Sequence, residues 1–249
     1  MKVFEIVTRL GFAARGLMYG AIGWLAIMSG RTEDAGGILP YLERQAGAVL
    51  VAVMAAGFFS YAAWRFLEAW LDTDDHGSDA KGVAVRLAGA GSGLIHLGLG
   101  VGAVLAALHA RRSGGDGPEH GAAMALSVPG GEWLLYLAAA VAAGAGIQQF
   151  RKAWSLKFMR HLKPEAAKRG WVAWLGRIGF AARGVVFLLI GWLLLRAAQL
   201  HNSGAAGGID DALGSLPRPV QLGVAAGVLL FGLFSLTEAL YRKVQAARR

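Results

Sequence analysis

Six long uncharged apolar runs divide the chain, at residues 16–30, 46–64, 87–110, 133–150, 184–195 and 219–237. A bilayer core about 30 Å thick takes roughly 20 helical residues, so each run predicts one membrane-spanning helix. The short first and fifth runs are extended backwards through 10–14 and 178–182. The expected fold class is all-α, a polytopic membrane protein of six transmembrane helices.

The polar positions at the start of these runs repeat. Arg9-Leu-Gly-Phe-Ala-Ala-Arg15-Gly16 returns 168 residues later as Arg177-Ile-Gly-Phe-Ala-Ala-Arg183-Gly184, and a worn copy, Arg86-Leu-Ala-Gly-Ala-Gly-Ser92-Gly93, lies between them. The loop after the first span repeats as well: Gly36-Gly37-Ile38 matches Gly207-Gly208-Ile209, and Ala125-Leu126 before Pro129 resembles Ala212-Leu213 before Pro217. The chain therefore reads as one membrane domain, 1–249, of three two-helix units at 8–72, 84–156 and 176–244, with a basic linker at 157–175. An even number of spans per unit points all units the same way, which predicts a pseudo-threefold axis along the membrane normal. The Gly- and Pro-rich loops predict a short helix or turn leading back into the membrane.

Glycine is dense in the first span of each unit: Gly16, Gly20 and Gly23; Gly89, Gly93, Gly98 and Gly102; Gly184 and Gly191. Spacings of four and seven put them on one helix face, where backbones can approach closely. The expectation is that the odd-numbered spans pack near the axis, while the even-numbered ones, richer in Phe, Leu, Met and Val, form a lipid-facing rim.

Charge orients the chain. Of the 25 Lys and Arg, seventeen fall at the amino terminus, the second-to-third and fourth-to-fifth loops and the tail, and six fall in the remaining loops. Such an excess marks the cytoplasmic side, so both termini are expected there. With 55% hydrophobic and 16% charged residues, most of the apolar surface is expected to face lipid. The chain has no cysteine, which excludes disulfides, thiolate metal sites and cysteine nucleophiles. The first apolar run is interrupted by Arg15 and no small-x-small site follows before Arg31, so the first span is read as uncleaved.

Arg15 and Arg183 lie inside apolar spans, where a charge is costly. Three readings stay open. The guanidinium can snorkel to the headgroups. It can pair with a carboxylate of its own unit: Glu68 and Glu238 end the second spans of units one and three, while unit two holds Ser92 and Lys152 at the corresponding positions, so both charges are lost together. On this reading the pairs are Arg15 with Glu68 and Arg183 with Glu238. Third, Arg15 with Tyr19, Ser92 with His96 and Arg183 with Phe187 are each four residues apart, a polar stripe on one helix face that could line a vestibule for an anion or a lipid headgroup. His96 by itself reads as a satisfied interhelical histidine rather than a proton relay, since no second histidine or in-span carboxylate accompanies it.

The acidic loop 72–79 departs from the calcium-loop pattern at His76 and Val83 and reads as a solvated loop. The histidines His109, His120, His161 and His201 have no paired metal spacing. In the linker, Lys157, Arg160, Lys163, Lys168 and Arg169 interleave with Trp, Phe and Leu, which predicts an interfacial helix on anionic inner-leaflet lipid; nucleic acid is not an expected partner. Trp64, Trp70, Trp171 and Trp174 fit an interfacial belt. No phosphate loop, nucleophile elbow, metalloprotease pair or dinucleotide fingerprint occurs. No catalytic residue, cofactor or metal is expected.

The doubled Gly-Phe-Ala-Ala-Arg-Gly motif, the Gly-Gly-Ile loops and the Glu-Ala endings, Glu68-Ala69 and Glu238-Ala239, resemble a family of bacterial integral membrane proteins catalogued as domain of unknown function 1206. The resemblance runs from about Arg9 to Lys243 and implies three two-span units in a bacterial inner membrane; it brings no activity and no catalytic residues. Ser92 and Lys152 depart from the pattern. The expected role is non-enzymatic: structural, accessory or partner-binding, with a membrane-protein partner as a candidate. The alternative is a small transporter or channel for an anion or other small solute along the axis.

Overall fold

The computed structural model describes residues 2–28, 35–72, 77–108 and 117–243. Six long helices carry the fold: α1 (Lys2–Met28), α3 (Ala48–Leu71), α4 (Ala80–Ala107), α6 (Glu132–Ser155), α8 (Gly170–Leu200) and α10 (Arg218–Tyr241). All six are long and apolar enough to cross a bilayer. Short helices α2 (Ala35–Ala46), α5 (Gly117–Leu126) and α9 (Ile209–Gly214) lie in the loop after the first span of each unit, where the Gly and Pro pattern predicts them, and α7 (Pro164–Ala167) lies in the linker. There is no strand among the described residues.

The long helices pack as a ring in chain order. Within units, α1 lies on α3 and α8 on α10; between units, α3 lies on α4, α6 on α8, and α10 closes back onto α1. The two helices of the middle unit, α4 and α6, are not packed along each other, so the ring is open there. Burial follows this geometry. In the membrane-crossing windows 56% of α1 and of α10, which lie opposite the opening, is buried, against 39% of α3, 33% of α4 and of α8, and 28% of α6.

The three between-unit interfaces share one register. A Cβ placed on Gly16 would lie 2.8 Å from Leu236, one on Gly93 2.9 Å from Phe66, and one on Gly184 2.8 Å from Phe150. One turn pair further along, Gly23 meets Leu229 and Ala225, Gly100 meets Phe59, and Gly191 meets Ala143 and Ala139. Leu236, Phe66 and Phe150 are equivalent in the repeat, as are Leu229, Phe59 and Ala143. The glycine faces thus seat each first span on the second span of the preceding unit. This corrects the expectation that the odd-numbered spans gather at the axis with the even-numbered ones as a rim. Missing side chains draw an odd helix toward whichever backbone lies beside it, and here that is an even helix of another unit.

The linker also differs from the expected interfacial helix. After Leu156 ends α6 in the left-handed conformation (φ 52), the chain forms a single 3₁₀ turn, Lys157–His161, and the four-residue α7. Phe158 and Leu162 turn inward, Phe158 against Phe180 and Phe234 with centroids 5.0 Å apart in each case. Backbone bonds from Lys163 to Tyr241 and from Lys243 to His161 tie the linker to the end of α10. The apolar residues therefore close one end of the helix bundle, and Lys157, Arg160, Lys163, Lys168 and Arg169 remain exposed around them.

Candidate functional site at the helix interfaces

Every span-entry arginine caps the same place on the neighbouring helix. Arg9 donates to the carbonyls of Ala239 (2.6 Å) and Leu240, Arg86 to those of Ala69 (2.7 Å) and Trp70 (3.1 Å), and Arg177 to that of Ala153 (3.3 Å). Ala239, Ala69 and Ala153 are equivalent in the repeat. The last carbonyls of a helix have no partner within it, and a guanidinium supplies both hydrogen bonds and a favourable charge there. The sequence alone does not assign this role, although the first arginine is the one charge present in all three copies. Arg9 also bonds Glu5 on its own helix (2.7 Å) and thereby holds that carboxyl below the usual range.

Six residues beyond, the three interfaces diverge. Arg15 is 8% exposed, and its guanidinium reaches Glu238 Oε2 at 2.6 Å and Ser235 Oγ at 3.2 Å on α10, and Tyr61 Oη at 3.0 Å on α3. Glu238 is in turn bonded by Arg242 at 2.8 Å. The ion pair therefore joins unit one to unit three. The within-unit pairing expected from the joint loss of charges is corrected: Arg15 meets Glu238, and Glu68 is held by Arg65 on its own helix. Glycine brings α1 close to both neighbours, Gly16 to Leu236 of α10 and Gly11 to Tyr61 of α3, and the Arg15 guanidinium reaches across both, taking its carboxylate from α10.

Arg183, the counterpart of Arg15, has no carboxylate within ion-pair distance among the described residues. It lies against aromatic faces instead, with its Cζ 4.4 Å from the ring centroid of Phe231, 5.1 Å from Tyr19 and 5.2 Å from Phe187. The expected Arg183–Glu238 pair is thus absent, and Phe231 stands where unit one has Tyr61 and its hydroxyl.

The polar stripe resolves into contacts rather than an open lining. Tyr19 sits edge-on to Phe231 at 5.1 Å, and His96 stacks against Tyr61 at 4.3 Å. His96 Nδ1 is 2.8 Å from the Ser92 carbonyl, one turn back, while its buried Nε2 has no hydrogen-bond partner. Ser92 itself is half-buried.

Of the acidic loop, 73–76 lie outside the described residues, as does His109. Asp72 accepts from Gly77 N (2.8 Å), and Asp79 caps α4 by accepting from Gly82 N (2.9 Å). No group able to hold a metal ion occurs among the described residues. Trp70, Trp171 and Trp174 are exposed, whereas Trp64 packs on Phe12 and Tyr61. Two open grooves mark the outer surface. One of about 590 Å³ lies between α3 and α4 beside Phe66, Trp70 and Arg86, and one of about 310 Å³ lies along α1 and α10 over Gly16 and Gly20.

Three parallel two-helix units define the class, a multi-pass helical membrane protein built by internal triplication. The family described as Domain of Unknown Function (DUF1206) matches the chain at residues 10–72, 87–155 and 178–242, and the chain belongs to that family. It is similar to the uncharacterized protein YxxB of Bacillus subtilis (strain 168), with 28% identity over 247 residues covering 94% of this chain and 90% of the relative. No solved structure matches it significantly.

Proposed function

We propose that the chain is a non-enzymatic protein of the bacterial inner membrane, with both termini cytoplasmic, whose helical body serves a structural, accessory or partner-binding role. The observation that carries this reading is the use of its buried charge. Arg9, Arg86 and Arg177 cap neighbouring helices, and Arg15 and Glu238 join two units, so these groups serve assembly. The end of the bundle where α1 begins and α10 ends also carries the exposed basic linker, as a surface resting on anionic lipid would. The outer groove beside Trp70 and Arg86 is a candidate seat for a membrane-protein partner. Co-purification in a gentle detergent from the native host is expected to retain a stable partner. Substrate turnover by the purified chain alone would contradict the proposal.

The second reading is a small transporter or channel for an anion or other small solute along the pseudo-threefold axis. It draws on Arg15, Arg183 and His96 converging around Tyr19, Tyr61 and Phe231. Flux in proteoliposomes that disappears in Arg183→Ala would favour it. Equal leak with and without the protein would remove it.

A further inference from the structure

The between-unit interfaces can be compared position by position, because the repeat fixes their register. At the α1–α10 interface Arg15 faces Ser235 and Glu238, and every group has a partner. At the α4–α3 interface the arginine is replaced by Ser92, and the facing positions hold Arg65 and Glu68, which pair with each other. At the α8–α6 interface the arginine is present as Arg183, but the facing positions hold Gln149 and Lys152.

In the register of the repeat, two cations therefore stand where the first interface has a cation and an anion. The same rings link them: Lys152 Nζ is 5.9 Å from the Phe180 centroid, Phe180 is 5.4 Å from Phe231, and Arg183 lies over Phe231. Cation–π contact offsets part of the cost of a charge, but it supplies no counter-charge. Gln149 is a separate sign of a missing partner. It is only 9% exposed, its buried Oε1 is an acceptor without a donor, so the carboxamide loses no side-chain oxygen bond on turning its NH₂ to an anion, and it occupies the register of Ser235, which accepts from Arg15. Lys152 is exposed as a residue with its ammonium largely desolvated, and Arg183 is half-buried.

We propose that the α6–α8 interface binds a phosphate group between Arg183 and Lys152, with Gln149 as a neutral donor, so that the ligand replaces the carboxylate Glu238 provides at the equivalent interface. A guanidinium offers two parallel donors to a phosphate and an ammonium offers a point charge, while a carboxamide presents its NH₂ when turned toward the anion. The group can belong to an anionic lipid headgroup or to a free anion, and it goes beyond the structural role argued above.

The test is thermal unfolding of the purified full chain in a zwitterionic detergent without phosphate. Inorganic phosphate is titrated in one arm, with chloride matching the ionic strength. In the other, phosphatidylglycerol or phosphatidylcholine is added to the micelles. A specific anion about a hundredfold above its dissociation constant is expected to raise the midpoint by roughly 5–10 °C. A rise with inorganic phosphate identifies a free anion, and a rise with phosphatidylglycerol alone identifies a headgroup. Lys152→Glu rebuilds the first interface's pair, so it is expected to raise the ligand-free midpoint and abolish the response, while Arg151→Glu, with the same change of charge, keeps it. If Lys152→Glu does not fold, Arg183→Gln is read instead, and loss of the response is expected. No rise in the unmodified chain with either probe, or a response retained in Lys152→Glu or Arg183→Gln, would overturn the proposal.

Discussion

The α1–α10 and α6–α8 interfaces have the same backbone geometry and opposite electrostatics. Each seats a glycine face on the second span of a preceding unit, and each is capped by a span-entry arginine. In the first, Arg15 is enclosed by Glu238, Ser235 and Tyr61; in the second, Arg183 has aromatic rings, and a lysine stands at the position equivalent to Glu238. Backbone approach, set by glycine, therefore fixes how the units assemble. The charges then decide how firmly each joint is held. A buried pair is weak evidence of net stability, yet removal of one member leaves the other uncompensated.

Breaking what the interfaces share should do the most damage. A side chain on Gly23 meets backbone atoms of Leu229 and Ala225 at 2.6 and 2.7 Å, which cannot rotate aside. Gly23→Leu should therefore destabilise the fold by about 3 kcal/mol or more, or prevent recovery of folded protein. Gly20 provides the contrast, because a Cβ added there meets nothing within 4 Å, and Gly20→Ala should change the unfolding midpoint little.

The next effect separates the two interfaces. Arg15→Ala should cost about 3–5 kcal/mol, because it strips a buried carboxylate of one partner and orphans Ser235 and Tyr61. Arg183→Ala, which removes only cation–π contacts, should cost roughly 1 kcal/mol in the absence of added anion. Equal losses in the two variants, read by thermal unfolding in detergent, would show that the aromatic cradle substitutes for the carboxylate. Between these two lies Arg177→Leu, which removes a charged bond to the Ala153 carbonyl and a contact with the Trp174 ring and should cost about 1–2 kcal/mol.

Much of this architecture is legible in the sequence. The length and spacing of the apolar runs indicate six spans, and Arg9, Arg86 and Arg177 mark three units in common register. The pairing of Arg15 is not legible, for a geometric reason. In units one and three the first span lies between its own second span and that of a neighbour, and loss of both charges from unit two is equally consistent with either partner. Only the three-dimensional packing decides, because glycines bring α1 equally close to both neighbours, Gly11 to Tyr61 and Gly16 to Leu236. The linker misleads in a similar way. Alternating basic and apolar residues look like a helix on lipid, but Phe158 and Leu162 find room under α8 and α10. Arg65 and Ser235 escape notice because each occurs in one copy, and a search by repetition sees only what recurs.

Whether the buried ion pair joins unit one to unit three is decided by charge reversal. Arg15→Glu is combined in turn with Glu238→Arg and with Glu68→Arg, and the unfolding midpoint of each double variant is compared with that of Arg15→Glu alone. The predicted result is recovery of at least half the lost stability with Glu238→Arg and none with Glu68→Arg. Recovery with Glu68→Arg alone would contradict the pairing described above and return the ion pair to a single unit.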